Sequence, residues 1–99
     1  MLSKQMIEER LDLFFNQYPL LSSCDFKLTG DSNLVAAGLK DSCDTIELTC
    51  TTLQRQILWH DYKLKFVYDK EADWTVLTLN EFNISVYWSY AKLAEHNSL

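Results

Sequence analysis

The sequence predicts an α+β fold, with an N-terminal helix packed on a largely antiparallel sheet of five to six strands and a possible C-terminal helix. Apolar residues first recur at helical spacing, and from about residue 24 they alternate with polar residues at the period of a strand. The chain has 99 residues, of which 47% are hydrophobic. This length and composition are typical of one folded domain over residues 1–99 and exclude a disordered chain.

The N-terminal helix is predicted over residues 4–17. Ser3 can cap it, because a serine hydroxyl accepts a hydrogen bond from a free amide of the first turn. Pro19 ends it, because the residue before a proline is pushed out of helical geometry. The apolar stripe that would face the core consists of Ile7, Leu11, Phe14, Phe15 and Tyr18.

The first half of the chain then predicts three strands. Residues 24–29 alternate between apolar and polar side chains, and residues 30–33 are a cluster of turn-forming residues. The apolar run at 34–39 is typical of a central strand. After a second polar turn at 40–44, alternation over 46–50 predicts the third strand.

The second half starts with an ambiguous stretch, residues 52–61, which suits either a short helix or an early strand. Residues 62–68 predict a strand with aromatic side chains on one face and Lys63 and Lys65 on the other. A charged hairpin loop at 69–73 leads to a return strand at 74–79, which is rich in Thr, Val and Trp.

The C-terminal part fits two patterns. Alternation and composition favour a strand from Phe82 to about Tyr90, followed by a short helical tail through Glu95. The alternative is a full helix from Glu81, because apolar residues there also recur at helical spacing.

Net charge and the composition of individual segments indicate which partners and which cellular location to expect. The net charge of −5 disfavours nonspecific binding to nucleic acid or to anionic membranes, which both attract positive surfaces. No stretch has the roughly twenty apolar residues of a membrane span. The N-terminus lacks the apolar core of a signal peptide, so the expected location is the cytoplasm. Three cysteines without a pairing motif predict free thiols rather than a disulfide framework.

Motifs for chemistry are missing. The sequence contains no metal-ligand spacing, no Gly-rich phosphate loop and no nucleophile elbow. Cys50, His60 and Asp61 supply residue types that a cysteine nucleophile needs, but they form no catalytic motif. We therefore predict no catalytic residues, no metal, no cofactor and no enzymatic activity.

Acidic residues are unevenly distributed. Residues 1–49 carry eight acids and four bases, a balance of −4, whereas residues 50–99 carry six acids and five bases, a balance of −1. Acids gathered at one edge of the sheet would attract a basic partner. Aromatic anchors are common in protein interfaces. The predicted partner-binding residues are therefore Asp25, Asp31, Asp41, Asp44, Glu47, Trp59 and Tyr87.

These features predict a small acidic protein-binding module that inhibits a basic partner by occlusion. In size, charge and expected location the chain resembles the small acidic immunity proteins that neutralise nuclease toxins, although it shares no motif with them. One alternative is a secretion-chaperone or adaptor-like dimer, which would gain support from a helix over residues 81–95. A second is a phage-type anti-restriction or anti-CRISPR inhibitor, although such mimics usually carry denser arrays of acids. The oligomeric state is left open.

Overall fold

The computed structural model describes residues 1–71 and 73–89. Its first regular element is helix α1, Lys4–Gln17. The hydroxyl of Ser3 accepts a hydrogen bond from the amide of Met6 at 3.3 Å. At the other end, the amide of Tyr18 donates to the carbonyl of Phe14 at 3.1 Å. The predicted helix is therefore confirmed at both ends, together with its serine cap.

The other elements within the described residues alternate between helix and strand at first and end as strands. The two further helices are α2, Gly30–Ala36, and α3, Thr52–His60. The strands are β1, Phe26–Thr29; β2, Ile46–Cys50; β3, Val67–Asp69; β4, Trp74–Leu79; and β5, Ile84–Trp88. Short 3-10 turns at Ser23–Asp25 and Asn80–Phe82 precede β1 and β5. The α+β class is confirmed.

The five strands lie side by side in the order β1-β2-β5-β4-β3. Three of the four neighbouring pairs are antiparallel, but β2 and β5 are parallel, so the sheet is mixed. The predicted antiparallel pairing therefore holds for three of the four pairs but not for β2 and β5, and the described residues form five strands. After β2 the chain passes through α3 to the far edge, and β4 and β5 then return toward β2.

The strand predicted at residues 34–39 is wrong, because residues 34–36 form the end of α2 and residues 37–39 form the turn that follows it. Gly30 has a φ of 61°, a left-handed conformation that turns the chain from β1 directly into the helix. The buried hydroxyl of Ser32 donates to the carbonyl of Thr29 at 2.8 Å and accepts from the amide of Glu47 at 3.0 Å. These bonds tie the first turn of α2 to both neighbouring strands.

The strand predicted at 62–68 is confirmed only at its end, in β3. Residues 52–60 form the helix of the two options, and the chain then folds back over the end of that helix. The amide of Lys63 donates to the carbonyl of Trp59 at 3.1 Å, and that of Leu64 donates to Leu58 at 2.9 Å. Because these amides satisfy the helix end, they are not available for a strand ladder.

The C-terminal ambiguity resolves in favour of a strand. Asn83 has a φ of 57° and ends the preceding 3-10 turn, and its carbonyl accepts from the amide of Ile46 at 2.8 Å. This bond starts the pairing of β5 with β2, so a helix through residues 84–88 is wrong. The predicted helical tail through Glu95 lies outside the described residues.

The core lies between the helices and one face of the sheet, which we call the inner face. Strand side chains on this face alternate with those on the other face, as in the buried Ile46, Leu48 and Cys50 of β2. Helix α1 contributes Ile7 and Phe14 to this core, α2 contributes Val35, and α3 contributes Leu58. None of the helices among the described residues is long and apolar enough to cross a membrane.

Candidate binding face of the sheet

The second face of the sheet, which we call the outer face, carries side chains that are half-buried or exposed, apart from the buried Ser85. Strand register aligns one row across it: Thr49 lies opposite Tyr87, Tyr87 opposite Val76, and Val76 opposite Val67. Val67 is 63% exposed. The side chains that alternate onto this face are Lys27, Thr29, Glu47, Thr49, Val67, Asp69, Trp74, Val76, Thr78, Ser85 and Tyr87.

An aromatic pair forms the centre of the outer face. The rings of Trp74 and Tyr87 meet edge to face, with centroids 5.9 Å apart and planes at 74°. They share a shallow depression of about 240 Å³ with Thr29, Glu47 and Thr49. Two aromatic surfaces, the hydroxyls of Thr29, Thr49 and Tyr87 and the carboxylate of Glu47 thus converge in one shallow depression.

Carboxylates act on the phenol of Tyr87. Burial raises its pKa most, and the negative charges of Glu47 and Asp69 raise it further, against a hydrogen bond with Ser85 that lowers it. Partial burial also raises the pKa of Glu47, and the charge of Asp31 adds to this effect. The aromatic centre therefore lies in a negative field, which attracts cations.

An acidic corner adjoins this face at the start of β2. Asp31 accepts a hydrogen bond from the ammonium of Lys40 at 2.8 Å, between two exposed side chains. This bond raises the pKa of Lys40, and the charges of Asp31 and Asp44 contribute in the same direction. The charge of Asp31 acts on both Lys40 and Glu47, and the charge of Asp44 acts on Lys40. We call these three carboxylates, Asp31, Asp44 and Glu47, the acidic corner.

Three of the predicted partner-binding residues belong neither to the outer face nor to the acidic corner: Asp25, Asp41 and Trp59. Asp25 precedes β1 at the end of the strand pair where Phe26 faces Cys50, and it accepts from the side chain of Gln54 at 3.2 Å. Asp41 is exposed in the connection between α2 and β2. Trp59 is 41% exposed on α3, which packs on the inner face.

The structure thus brings Glu47 close to Tyr87. Asp31 acts on Glu47, and Asp31 and Asp44 both act on Lys40, whereas Asp25 and Trp59 lie elsewhere. Trp74 and Asp69 belong to the same face, although the sequence did not predict them as contact residues. The alternation of β4 assigns Trp74 to the face opposite Leu77 and Leu79, which was readable from the sequence. Its proximity to Glu47 was not, since it depends on the parallel pairing of β2 with β5.

The Cys50 thiol, considered above as a nucleophile, is not activated by its surroundings. Burial raises the pKa of the Cys50 thiol to about 12, whereas an activated nucleophile needs a lowered pKa. Cys43 is also buried, and Cys24 is exposed. Within residues 1–71 and 73–89, His, Cys, Asp and Glu side chains form no group of three that could hold a metal ion.

Glu47 provides a pH-dependent test of this geometry. Because its pKa in the folded chain is raised above 4.5, the folded state favours the protonated form. Stability contributed by this residue is therefore present at low pH and is lost as pH rises through its raised pKa. We expect Glu47→Gln to gain stability relative to the parent chain as pH increases from about 4 to 7, measured by urea denaturation.

The matched control is Glu8→Gln, which removes the same charge from an exposed position on α1. It reports how much of any pH trend comes from net charge alone. A stability difference between Glu47→Gln and the parent chain that stays constant over this pH range would contradict the expected burial of the Glu47 carboxylate.

Comparison of the chain with protein-family models, with curated protein sequences and with solved structures gives no match. What the outer face can bind therefore follows from its own side chains.

Proposed function

We propose that this chain is a protein-binding module whose outer face binds and occludes a basic partner. The observation that carries the proposal is the Trp74–Tyr87 pair in the negative field of Glu47 and Asp69. An arginine or lysine of the partner can lie against the aromatic rings while its charge is met by a carboxylate. Aromatic anchors surrounded by a polar rim are the usual arrangement of a binding hot spot.

The acidic corner supports a second element of this binding mode. Exposed charges contribute little to stability, but they steer an oppositely charged partner and raise its association rate. Asp31 and Asp44 are both exposed, so they are suited to this role. Three of the eight acids of residues 1–49 thus lie in the acidic corner, where they would meet a basic partner.

The specific version of this function is that of a cytoplasmic immunity-type protein that neutralises a basic nuclease toxin. The cationic nucleic-acid groove of such an enzyme has the charge that the outer face and the acidic corner would attract. The secretion-chaperone alternative loses one support, since residues 84–88 form a strand instead of part of a second long helix.

The test is inhibition of purified basic nucleases, beginning with those encoded beside this gene and extending to a panel of bacterial toxin nucleases. We expect stoichiometric inhibition of one of them. Trp74→Ala should weaken that inhibition by about 30-fold, the effect of losing a hot-spot residue. Trp59→Ala, which removes an exposed tryptophan on the other side of the sheet, is the matched control.

The acidic corner is tested by its own pair of variants. Asp31→Lys/Asp44→Lys should slow association about 10-fold at low salt, and the difference should shrink as salt increases. Glu8→Lys/Asp12→Lys changes the net charge equally on exposed positions of α1 and should leave the rate nearly unchanged. Failure to inhibit any nuclease, or inhibition that is equal in all four variants, would overturn the proposal.

A further inference from the structure

A second depression, of about 220 Å³, lies at the end of α3, away from the outer face. It is lined by Trp59, Lys63, Leu64 and Lys65, and we call it the basic pocket. Trp59 is 41% exposed there, and Leu64 is half-buried. An indole and a leucine thus form an apolar surface beside two exposed lysines, in a chain whose net charge is −5.

The chain makes an unusual turn to form this pocket. Lys63 has a φ of 59°, a left-handed conformation that is unfavourable for a residue with a long side chain. The hydrogen bonds from Lys63 and Leu64 to the end of α3 hold this turn in place. In a regular strand, Leu64 would point away from both lysines, whereas here all three residues line one depression with Trp59.

A third cation lies behind the indole. The guanidinium carbon of Arg55 is 5.8 Å from the ring centroid of Trp59, 5.6 Å from that of Phe66 and 4.5 Å from that of Trp88. The Nε atom of Arg55 is buried and has no hydrogen-bond acceptor among the described residues. The positive charge of Arg55 is therefore added to those of Lys63 and Lys65 around the same tryptophan.

We propose that the basic pocket binds an acidic peptide segment, with one apolar side chain on Trp59 and Leu64 and flanking carboxylates on Lys63 and Lys65. The volume lies below the roughly 300–1,000 Å³ of typical small-molecule sites and suits a single side chain. The ligand is opposite in charge to the basic partner of the outer face, so this second site goes beyond the proposed function.

A peptide fits better than a nucleic acid because the basic area is small. A long polyanion would extend past the three cations onto the rest of a chain with net charge −5. At physiological salt, charges interact over a Debye length of about 8 Å, so phosphates that lie along the surface beyond the three cations would be repelled by nearby acids. A short peptide segment can keep its charges within reach of Lys63 and Lys65.

The probe is a short fluorescein-labelled peptide with one central phenylalanine flanked by Asp and Glu, titrated with the full chain and followed by fluorescence anisotropy. We expect saturable binding that weakens with salt. Lys63→Glu/Lys65→Glu and Trp59→Ala should each weaken binding by about 10-fold or more. Lys4→Glu/Lys70→Glu makes the same change in net charge at two other exposed lysines and should leave binding nearly unchanged.

Three comparison ligands complete the design: a peptide with alanine at the centre, a peptide with lysine flanks, and a labelled single-stranded oligonucleotide. All three should bind more weakly than the acidic phenylalanine peptide. Tighter binding of the oligonucleotide would replace this proposal with a nucleic-acid site, and absence of peptide binding at millimolar concentration would overturn it. Because Trp74→Ala should leave peptide binding unchanged, failure at the outer face and failure at the basic pocket are distinguishable.

Discussion

Replacing Phe14 with alanine should lower the free energy of unfolding by about 3–5 kcal/mol, the range for removing a large aromatic side chain from a core. Phe14 is 0% exposed. Its ring lies 5.9 Å from that of Phe26 and 6.0 Å from that of Phe82, measured between centroids. The side chain therefore joins α1 to β1 and to the turn before β5, and alanine would leave a cavity between all three.

Urea denaturation followed by far-ultraviolet circular dichroism measures this effect. The control is Leu13→Ala, on the same helix, which removes an apolar side chain that is 58% exposed. We expect Leu13→Ala to change stability by only about 0.5 kcal/mol. A loss below about 1 kcal/mol for Phe14→Ala would show that this residue does not hold the elements together.

Replacing Gln54 should have the second large effect. Gln54 is 1% exposed, its carbonyl oxygen accepts from the amide of Ser22 at 2.9 Å, and its amide nitrogen donates to Asp25 at 3.2 Å. Gln54→Ala removes both hydrogen bonds and leaves space, so we expect a loss of about 2–4 kcal/mol. Because the cost of an unsatisfied buried group differs from that of a cavity, the two contributions can be separated.

Gln54→Met separates them, since methionine keeps most of the volume but can form neither hydrogen bond. We expect it to lose about 1–3 kcal/mol, the cost of leaving a buried polar group without its partner. Gln56→Ala is the control, because Gln56 is exposed on the same helix. Equal stability of Gln54→Met and the parent chain would mean that these bonds contribute nothing to the fold.

The hydrogen bond with Gln54 explains why the role of Asp25 could not be predicted from the sequence. A lone aspartate before a strand is typical of a solvated turn, so the sequence predicts Asp25 as one of the exposed acids. Its partner lies 29 positions along the chain on a different element. Such a pairing depends on tertiary packing and leaves no periodic signal in the sequence.

Local signals predicted the elements whose conformation is decided locally. Ser3, Pro19 and a helical apolar stripe specify α1, and alternation specifies β2 and β4. The missed helix α2 begins with Gly30, Asp31 and Ser32, which favour turns as much as the first turn of a helix. Only Val35 and Ser32 of that helix are buried, so its apolar periodicity is too short to recognise.

The binding face depends on long-range register to an even greater degree. Glu47 and Tyr87 were both predicted as contact residues, but their proximity arises from the alignment of Glu47 with Ser85 and of Thr49 with Tyr87. Lys63 and Lys65 show the reverse case. The predicted strand places them on the face opposite the neighbouring apolar side chains, whereas the left-handed turn at Lys63 brings them together with Trp59 and Leu64.

The position of β5 has a consequence for how the chain forms its structure during synthesis. This strand leaves the ribosome after the other four, yet it lies in the middle of the sheet between β2 and β4. Until residues 84–88 emerge, a growing chain has two unpaired inner strand edges, which readily pair with other chains. Completion of the sheet, and with it the meeting of Tyr87 with Trp74, must therefore wait for this last strand.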